Sequence, residues 1–295
     1  MLDQIKDLYE TLKTNSSSNL KSPAVFRTLS NISKTCLDFL ESECSHSSLN
    51  SPSITDKEYF VFRQGETGDS SRPVNRDLYS EKMIHEEVDA LSHTPICSIT
   101  DTLRDNEIDQ LLYTIAMSYC CAIDLLKSGD RKTPATFFEK LIGHIFARAY
   151  DTNPEDQLAV LNLELEKFIP TDFVLKLAEG KSHIHLPVKT STRERIIQVW
   201  AHQRILDGVY GTNRFKGILV SIAETNKRGS ESVHEVCVPN QWQLYQMFIA
   251  HMHRIYYLDV PHDYLKLSEN YPFINVKRFS QFFHEAKDIV KGAAR

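Results

Sequence analysis

The chain has 295 residues, 41% of them apolar, and a formal net charge of −5. That apolar share is enough for a sizeable core, and the acidic balance excludes a polycation that coats nucleic acid at large. The start, Met1-Leu-Asp-Gln-Ile-Lys-Asp-Leu8, has neither the basic start nor the apolar run of a signal peptide, and no stretch of about 18 uninterrupted apolar residues follows, so a cytoplasmic protein is expected.

Leu2, Ile5, Leu8 and Leu12 share one helix face, Asn15-Ser-Ser-Ser-Asn19 breaks it, and Val25, Leu29, Ile32, Cys36, Leu37 and Leu40 form a second face. Ser45-His-Ser-Ser-Leu-Asn-Ser-Pro-Ser53 is another break. Residues 61–100, with Gly65, Gly68, Pro73 and Pro95, read as loops around one helix near Ser80–Leu91. From Asp105, the residues Ile108, Leu111, Leu112, Ile115, Met117, Tyr119, Ile123 and Leu126 predict a buried helix that stops at Ser128-Gly129. The next helix is predicted to take Thr133 as N-cap and Pro134 as its first residue. It turns Phe138, Leu141, Ile142, Ile145, Phe146 and Ala149 inward, with Glu139 beside that stripe.

Residues 155–168 fit a helix and an alternating strand, and the two periodicities conflict. Asp172-Phe-Val-Leu-Lys-Leu177 and Ser182-His-Ile-His-Leu-Pro-Val-Lys189 read as paired strands around Glu179-Gly180. Ser191-Thr-Arg-Glu194 has the capping-box pattern and opens a helix with Ile196, Val199, Trp200, Gln203 and Leu206 on one face. Phe215 to Thr225 reads as a central strand and Val233 to Val238 as another. Trp242, Tyr245, Ile249, Met252 and Tyr256 recur at helical spacing, which predicts a core helix over 240–257. The tail from Asp259 ends in a helix around Ser280–Val290, packed on the core or on a partner. The pattern predicts a mixed α/β core over 105–257, a mainly helical and loop region over 1–104, and a helical tail over 258–295.

The cysteines Cys36, Cys44, Cys97, Cys120, Cys121 and Cys237 are scattered without a Cys-x-x-Cys pair, which reads as free thiols rather than a zinc box. Charge is uneven. Between His185 and Lys216, six basic residues (Lys189, Arg193, Arg195, Arg204, Arg214 and Lys216) stand against two acids, Glu194 and Asp207. A basic stretch inside an acidic protein points to a specific anionic ligand.

A phosphodiester is cut when a divalent ion on its oxygens activates water and neutralises charge in the transition state. Asp172 at the start of one strand and Lys189 at the end of its hairpin neighbour can supply a metal ligand and a positive group for that chemistry, and Glu139 can add a second oxygen ligand. Arg193 and Arg195 suit guanine edges, which guanidinium groups bind in pairs. Arg204, Arg214 and Lys216 suit phosphates. Tyr210 and Asn213, in the turn before the strand, are further candidates.

These residues carry a resemblance. Pro170-Thr-Asp172, Val188-Lys189 and the preceding Phe138-Glu139 on a helix resemble the PD-(D/E)xK nuclease fold of type II restriction endonucleases. Lys189-Thr-Ser-Thr-Arg-Glu-Arg195 is similar to the Lys…Arg-Glu-Arg signature of members that recognise CC-containing sites. From about Thr133 to Tyr257 the likeness extends to the heterodimeric BbvCI-type enzymes, whose two homologous subunits cut asymmetric sites such as CCTNAGC. The resemblance implies a restriction-endonuclease-like core with helical additions at both ends, Mg2+ as cofactor, and double-stranded DNA as substrate. It also implies a partner, either a homologous second subunit in a heterodimer or a second copy in a homodimer. On it Asp172 and Glu139 hold metal, Lys189 acts on water or on developing charge, and Arg193, Glu194 and Arg195 read bases.

The chain departs from the simple pattern in two places: Thr171 separates Pro170 from Asp172, and the residue two before Lys189 is Pro187 rather than an acid. Relatives that move the missing acid to the next helix put it where this chain has His202 and Gln203. Gln203 can orient a metal-bound water, and His202 can be a ligand or a phosphate contact. Plainer roles stand beside each of these: a turn residue for Asp172, a solvated end for Lys189, a helix-dipole partner for Glu139, a cap for Glu194, solvated arginines at 193 and 195, and packing for His202 and Gln203. Two other functions also stay open: a DNA-binding specificity subunit with an incomplete active site, and a structural protein with no role on nucleic acid.

Overall fold

An apolar run without polar alternation needs cover on both faces. Phe215–Ser221 is such a run, buried almost throughout, and it forms a central strand of the sheet in the computed structural model. That structure describes every residue except 66–68, 89–90, 92–93, 163–164, 194–195, 230 and 292–295. The chain opens with α1 (Leu2–Ser18) and α2 (Pro23–Glu43), then β1 (Ser45–Leu49), β2 (Tyr59–Arg63), β3 (Val74–Asn75) and the short α3 (Glu81–Glu86). Two long helices follow, α4 (Asp105–Leu126) and α5 (Lys132–Ala149). The central part holds β4 (Glu155–Asn162), β5 (Leu165–Leu175), β6 (His183–Leu186), β7 (Val188–Lys189), α6 (Ile196–Tyr210) and β8 (Phe215–Ser221). The remainder is β9 (Thr225–Arg228), β10 (Ser232–Glu235), α7 (Pro239–Phe248), β11 (Met252–Tyr257), α8 (His262–Asn270), β12 (Val276–Arg278) and α9 (Gln281–Ile289).

The main sheet has seven strands in the order β12-β11-β8-β6-β5-β4, with β7 continuing the line of β6 and also pairing β8. From β12 to β6 the neighbours are parallel, and β5 and β4 are antiparallel additions. Alternation along the strands assigns the two faces. Ile184, Leu186, Val188, Ile218, Val220 and Tyr256 point into the larger cluster, with α2, α4 and α5. Leu219, Ile255 and Tyr257 point to the other, with Trp200 of α6 and Trp242 of α7. The larger cluster also takes Leu12, Phe26, Phe60 and Phe282, so the N-terminal region and the tail share one core with the central part.

Five readings of the sequence change, the last of them the cap of α5. Residues 240–257 are a helix followed by a strand: α7 ends at Phe248, and Met252–Tyr257 inserts between β8 and β12. A sheet buried on both faces takes apolar residues on either side, so Met252 and Tyr256 continue the helical spacing of Trp242, Tyr245 and Ile249. Of residues 155–168, those described are strand: Glu155–Asn162 on β4 and 165–168 on β5, paired antiparallel. Val233 lies on β10, which pairs with β9 and bridges to Asn50, outside the main sheet. The break at Ser45–Ser53 contains β1, which pairs with an unforeseen β2.

Thr133 does not cap α5. Asp130 does, accepting the Lys132 and Thr133 amides at 3.1 and 3.0 Å and the Thr133 hydroxyl at 2.6 Å.

Candidate active site

The β5–β6 hairpin pairs Phe173 with Leu186, so Asp172 stands opposite Pro187 at the end of the ladder. Proline has no amide hydrogen, and here it separates β6 from β7. The next amide, Val188 N, donates to Asp172 Oδ2 at 2.8 Å, and the Lys189 ammonium donates to the same oxygen at 2.6 Å. Asp172 is thus tied to its neighbouring strand by both backbone and side chain. Its Oδ1 takes no hydrogen bond among the described residues.

Glu139 approaches from α5. One turn further along that helix, Gly143 lies against Phe173, the residue after Asp172. A β-carbon at Gly143 would sit 2.6 Å from Phe173 Cζ, so the glycine is what allows α5 to lie this close to β5. The Glu139 carboxyl is pushed up to about 7, first by burial and then by the negative charge of Asp172, with the ammoniums of Lys189 and Lys140 opposing. A carboxyl pushed up by a neighbouring carboxylate is one that a divalent cation would relieve, since its charge would let both ionise. The donor set fits such an ion as a carboxylate pair. Among the described residues no group of three or more His, Cys, Asp or Glu side chains is gathered for a metal.

The two residues where a relocated acid would fall point different ways. His202 is half-buried, and its pKa is lowered by burial and then by the Lys189 ammonium, with Asp172 opposing; it therefore feels the charges of that pair. Gln203 is buried and turned toward the sheet. Its Oε1 lies 3.0 Å from His185 Nδ1, and its Nε2 donates to Asp207 Oδ1 at 3.0 Å and to the Phe215 carbonyl at 2.8 Å. Gly217 makes space for it, since a β-carbon there would fall 2.6 Å from Gln203 Oε1.

Arg193 lies just beyond Lys189, with a left-handed φ of 36°. Its Nη2 donates to the Thr225 carbonyl at 3.1 Å and lies 3.4 Å from Asn226 Oδ1. Glu194 and Arg195 fall outside the described residues, as does the capping interaction expected of Glu194. Arg204 and Lys216 lie elsewhere, and Arg214 accepts the His183 amide on its carbonyl. Lys189 is in register with Ser221 and His183 with Phe215, so Lys216 is five residues back along β8 from the Lys189 end, or about 16 Å at the strand rise. Arg204 and Lys216 line a cavity of about 490 Å³ there, together with Asp207, His251 and His253. Lys216 Nζ donates to the Ile289 and Lys291 carbonyls at 2.6 and 3.2 Å. Tyr210 donates its hydroxyl to the Ala159 carbonyl, and Asn213 takes a left-handed φ of 65° in the turn before β8.

Sequence reasoning missed His185, which holds Gln203, and Glu224, a fully buried acid beyond β8. The available signal for Glu224 was a charge closing an otherwise apolar run.

No family model matches the chain, and no curated protein does. Among solved structures it is similar to the Type IIP restriction endonuclease Kpn2I, with a TM-score of 0.80 and 25% identity over 99% of this chain and 100% of that one. A second likeness, to restriction endonuclease PspGI in complex with substrate DNA, has a TM-score of 0.41 and 14% identity over 66% of this chain and 80% of that one. The chain therefore has the restriction-endonuclease fold from end to end, with a central mixed sheet flanked by helices. Neither solved structure bears on the expected likeness to the heterodimeric BbvCI-type enzymes. No helix among the described residues is long and apolar enough to cross a membrane.

Proposed function

We propose that the chain is a type II restriction endonuclease that hydrolyses phosphodiesters of double-stranded DNA at a short specific site with the help of Mg2+. The observation that carries this reading is the shared Asp172 oxygen, which binds Lys189 Nζ at 2.6 Å and the Val188 amide at 2.8 Å. It lies at the end of a sheet whose fold is that of Kpn2I over the whole chain.

In this reading Asp172 and Glu139 would hold the ion. When bound, Mg2+ lowers the pKa of water and neutralises charge on the phosphate. The Lys189 ammonium, fixed by Asp172, orients the attacking water or meets the charge that develops on the phosphate oxygens. His202 faces the same pair as a neutral imidazole able to accept a hydrogen bond from water. Arg193 opens the segment that reads bases, followed by Glu194 and Arg195. The chain carries one such Asp172–Lys189 pair, so cutting both strands in one event takes two chains, a second copy or a homologous subunit. DNA in the cytoplasm is the substrate.

The experiment is plasmid cleavage by the purified chain, alone and with any homologous partner. Lys189→Ala is expected to lose cleavage by about a hundredfold or more while still binding DNA. Full cleavage by that variant sinks the assignment. A second reading, a DNA-binding subunit with an incomplete site, draws support from the absence of a third metal-ligating side chain among the described residues. It predicts that Lys189→Ala leaves every cut intact, whereas Arg193→Ala abolishes binding.

A further inference from the structure

Glu224 lies three residues beyond β8, is 0% exposed, and takes no part in the chemistry above. A carboxylate this deep is retained only when its oxygens are well bonded. Oε1 accepts the Thr192 amide at 2.8 Å, the Thr192 hydroxyl at 2.6 Å and the Tyr257 hydroxyl at 2.7 Å. Oε2 accepts the Arg193 amide at 3.3 Å. Burial raises the Glu224 pKa, and these donors work against that rise.

Two of the four donors are consecutive backbone amides of the segment that opens the base-reading region. The second belongs to Arg193, whose φ of 36° is a conformation that L residues seldom hold unaided. The same junction grips the side chain, because Thr225 and Asn226, which hold the guanidinium, directly follow Glu224. Arg193 Nε is buried and has no partner among the described residues. The other end of the network is rigid, since Tyr257 is packed with Trp242 and Tyr264.

We propose that Glu224 is a positioning residue for sequence reading: its carboxylate locks the Thr192–Arg193 turn so that the Arg193 guanidinium meets the base edges in one register. This rests on the reading of the chain as a site-specific DNA endonuclease. The physical basis is the donor count. Two amides and two hydroxyls all donate, and only a group that accepts at both oxygens satisfies them together. A glutamine of the same shape would turn its own N–H groups toward donors and release part of the turn. Base discrimination depends on placing the guanidinium to within a fraction of a bond length, whereas attraction to phosphates does not.

The test uses the full chain and a pool of randomised duplex DNA in Ca2+ without Mg2+, with the retained sequences read out. Wild type is expected to enrich one motif. Glu224→Gln is expected to retain DNA with the same salt dependence but to enrich that motif about ten- to a hundredfold less, the loss expected for a misplaced bidentate contact. Thr192→Val removes one hydroxyl donor and leaves the acid; it should weaken enrichment in the same sense, and Thr192→Ser should restore it. A Glu224→Gln protein that folds and enriches the wild-type motif to the wild-type degree overturns the proposal. If that variant does not fold, the Thr192 pair decides: loss in Thr192→Val with return in Thr192→Ser supports it, and equal enrichment in both overturns it. A wild type that enriches no motif removes the functional reading itself, a result distinct from an unaltered motif in the variants.

Discussion

Gly143 lies so close to Phe173 that an added β-carbon would sit 2.6 Å from the phenyl Cζ and 2.9 Å from Leu20 Cδ2. Gly143 is one turn past Glu139, and Phe173 follows Asp172, so this contact sets how near the two carboxyl groups come. Gly143→Ala tests it. Helix propensity favours alanine by about 1 kcal/mol. Overpacking a closed core costs about 1–3 kcal/mol, and the atoms in the way are an aromatic ring and a leucine fenced on all sides, so the packing term wins. The expected outcome is a lower thermal midpoint together with cleavage slowed by about tenfold or more, because a displaced ligand set is misaligned for the reaction. Chemical denaturation and single-turnover cleavage of the same preparation check both. An unchanged rate in a destabilised protein would separate the contact from the site.

Glu139 supplies a pH dependence that needs no cleavage assay. Its carboxyl is pushed up to about 7 from an ordinary 4.5, so the folded protein holds this proton more tightly than the unfolded chain. The stability it contributes is fully present below pH 4.5 and is lost as pH rises through about 7. A divalent ion that binds the carboxylate pair stabilises the ionised form, so Mg2+ should raise the thermal midpoint more at pH 8 than at pH 6. Glu139→Gln should flatten both the pH dependence and most of the Mg2+ effect. An equal Mg2+ shift in wild type and Glu139→Gln at pH 8 would remove Glu139 from the ligand set.

The meeting of Asp172 and Lys189 was legible in the sequence because its signals are local. Alternation and the Glu179-Gly180 turn bring Asp172 and Lys189 together, and Gly180 has the left-handed φ of 82° such a turn needs. Glu139 stood out as an acid beside an apolar stripe. Other features depend on partners far along the chain. Glu224 meets Thr192 across 32 residues, and the charge that closes its apolar run does not say which partner it meets. Met252–Tyr257 reads as helix until β8 and β12 cover both its edges. The basic count over His185–Lys216 treated as one surface what β8 separates, since Lys189 is at one end of that strand and Lys216 at the other.

Gln203 is the residue for which sequence and geometry differ most in emphasis. It falls at a position suited to orienting a metal-bound water, yet its amide is used by His185, Asp207 and the Phe215 carbonyl. Gln203→Leu leaves those buried groups unpartnered and should destabilise by about 2–4 kcal/mol. His185 deepens the effect in acid. Burial pushes its pKa down to about 4, so its contribution is present above the ordinary 6.5 and is lost as pH falls through about 4. A urea titration at pH 7 and pH 5 measures both. A variant of wild-type stability that fails to cleave would instead place Gln203 in the chemistry.

Lys216 allows the basic stretch to be divided experimentally. A lysine on a DNA phosphate releases counterions, and its removal lowers the slope of log affinity against log salt by about 0.9. In this structure the Lys216 ammonium is spent on the Ile289 and Lys291 carbonyls at the end of α9, and burial followed by the Arg254 charge lowers its pKa. Lys216→Ala should therefore leave the salt slope at the wild-type value and lower stability by about 1–2 kcal/mol, through two lost charge-assisted bonds to carbonyls. Arg193→Ala should do the reverse, sparing stability by comparison while flattening discrimination between sequences. Binding isotherms at several salt concentrations, on one duplex, read the slope directly. A reduced slope in Lys216→Ala would mean that DNA reaches the far end of β8 and that the carbonyl contacts give way when it does.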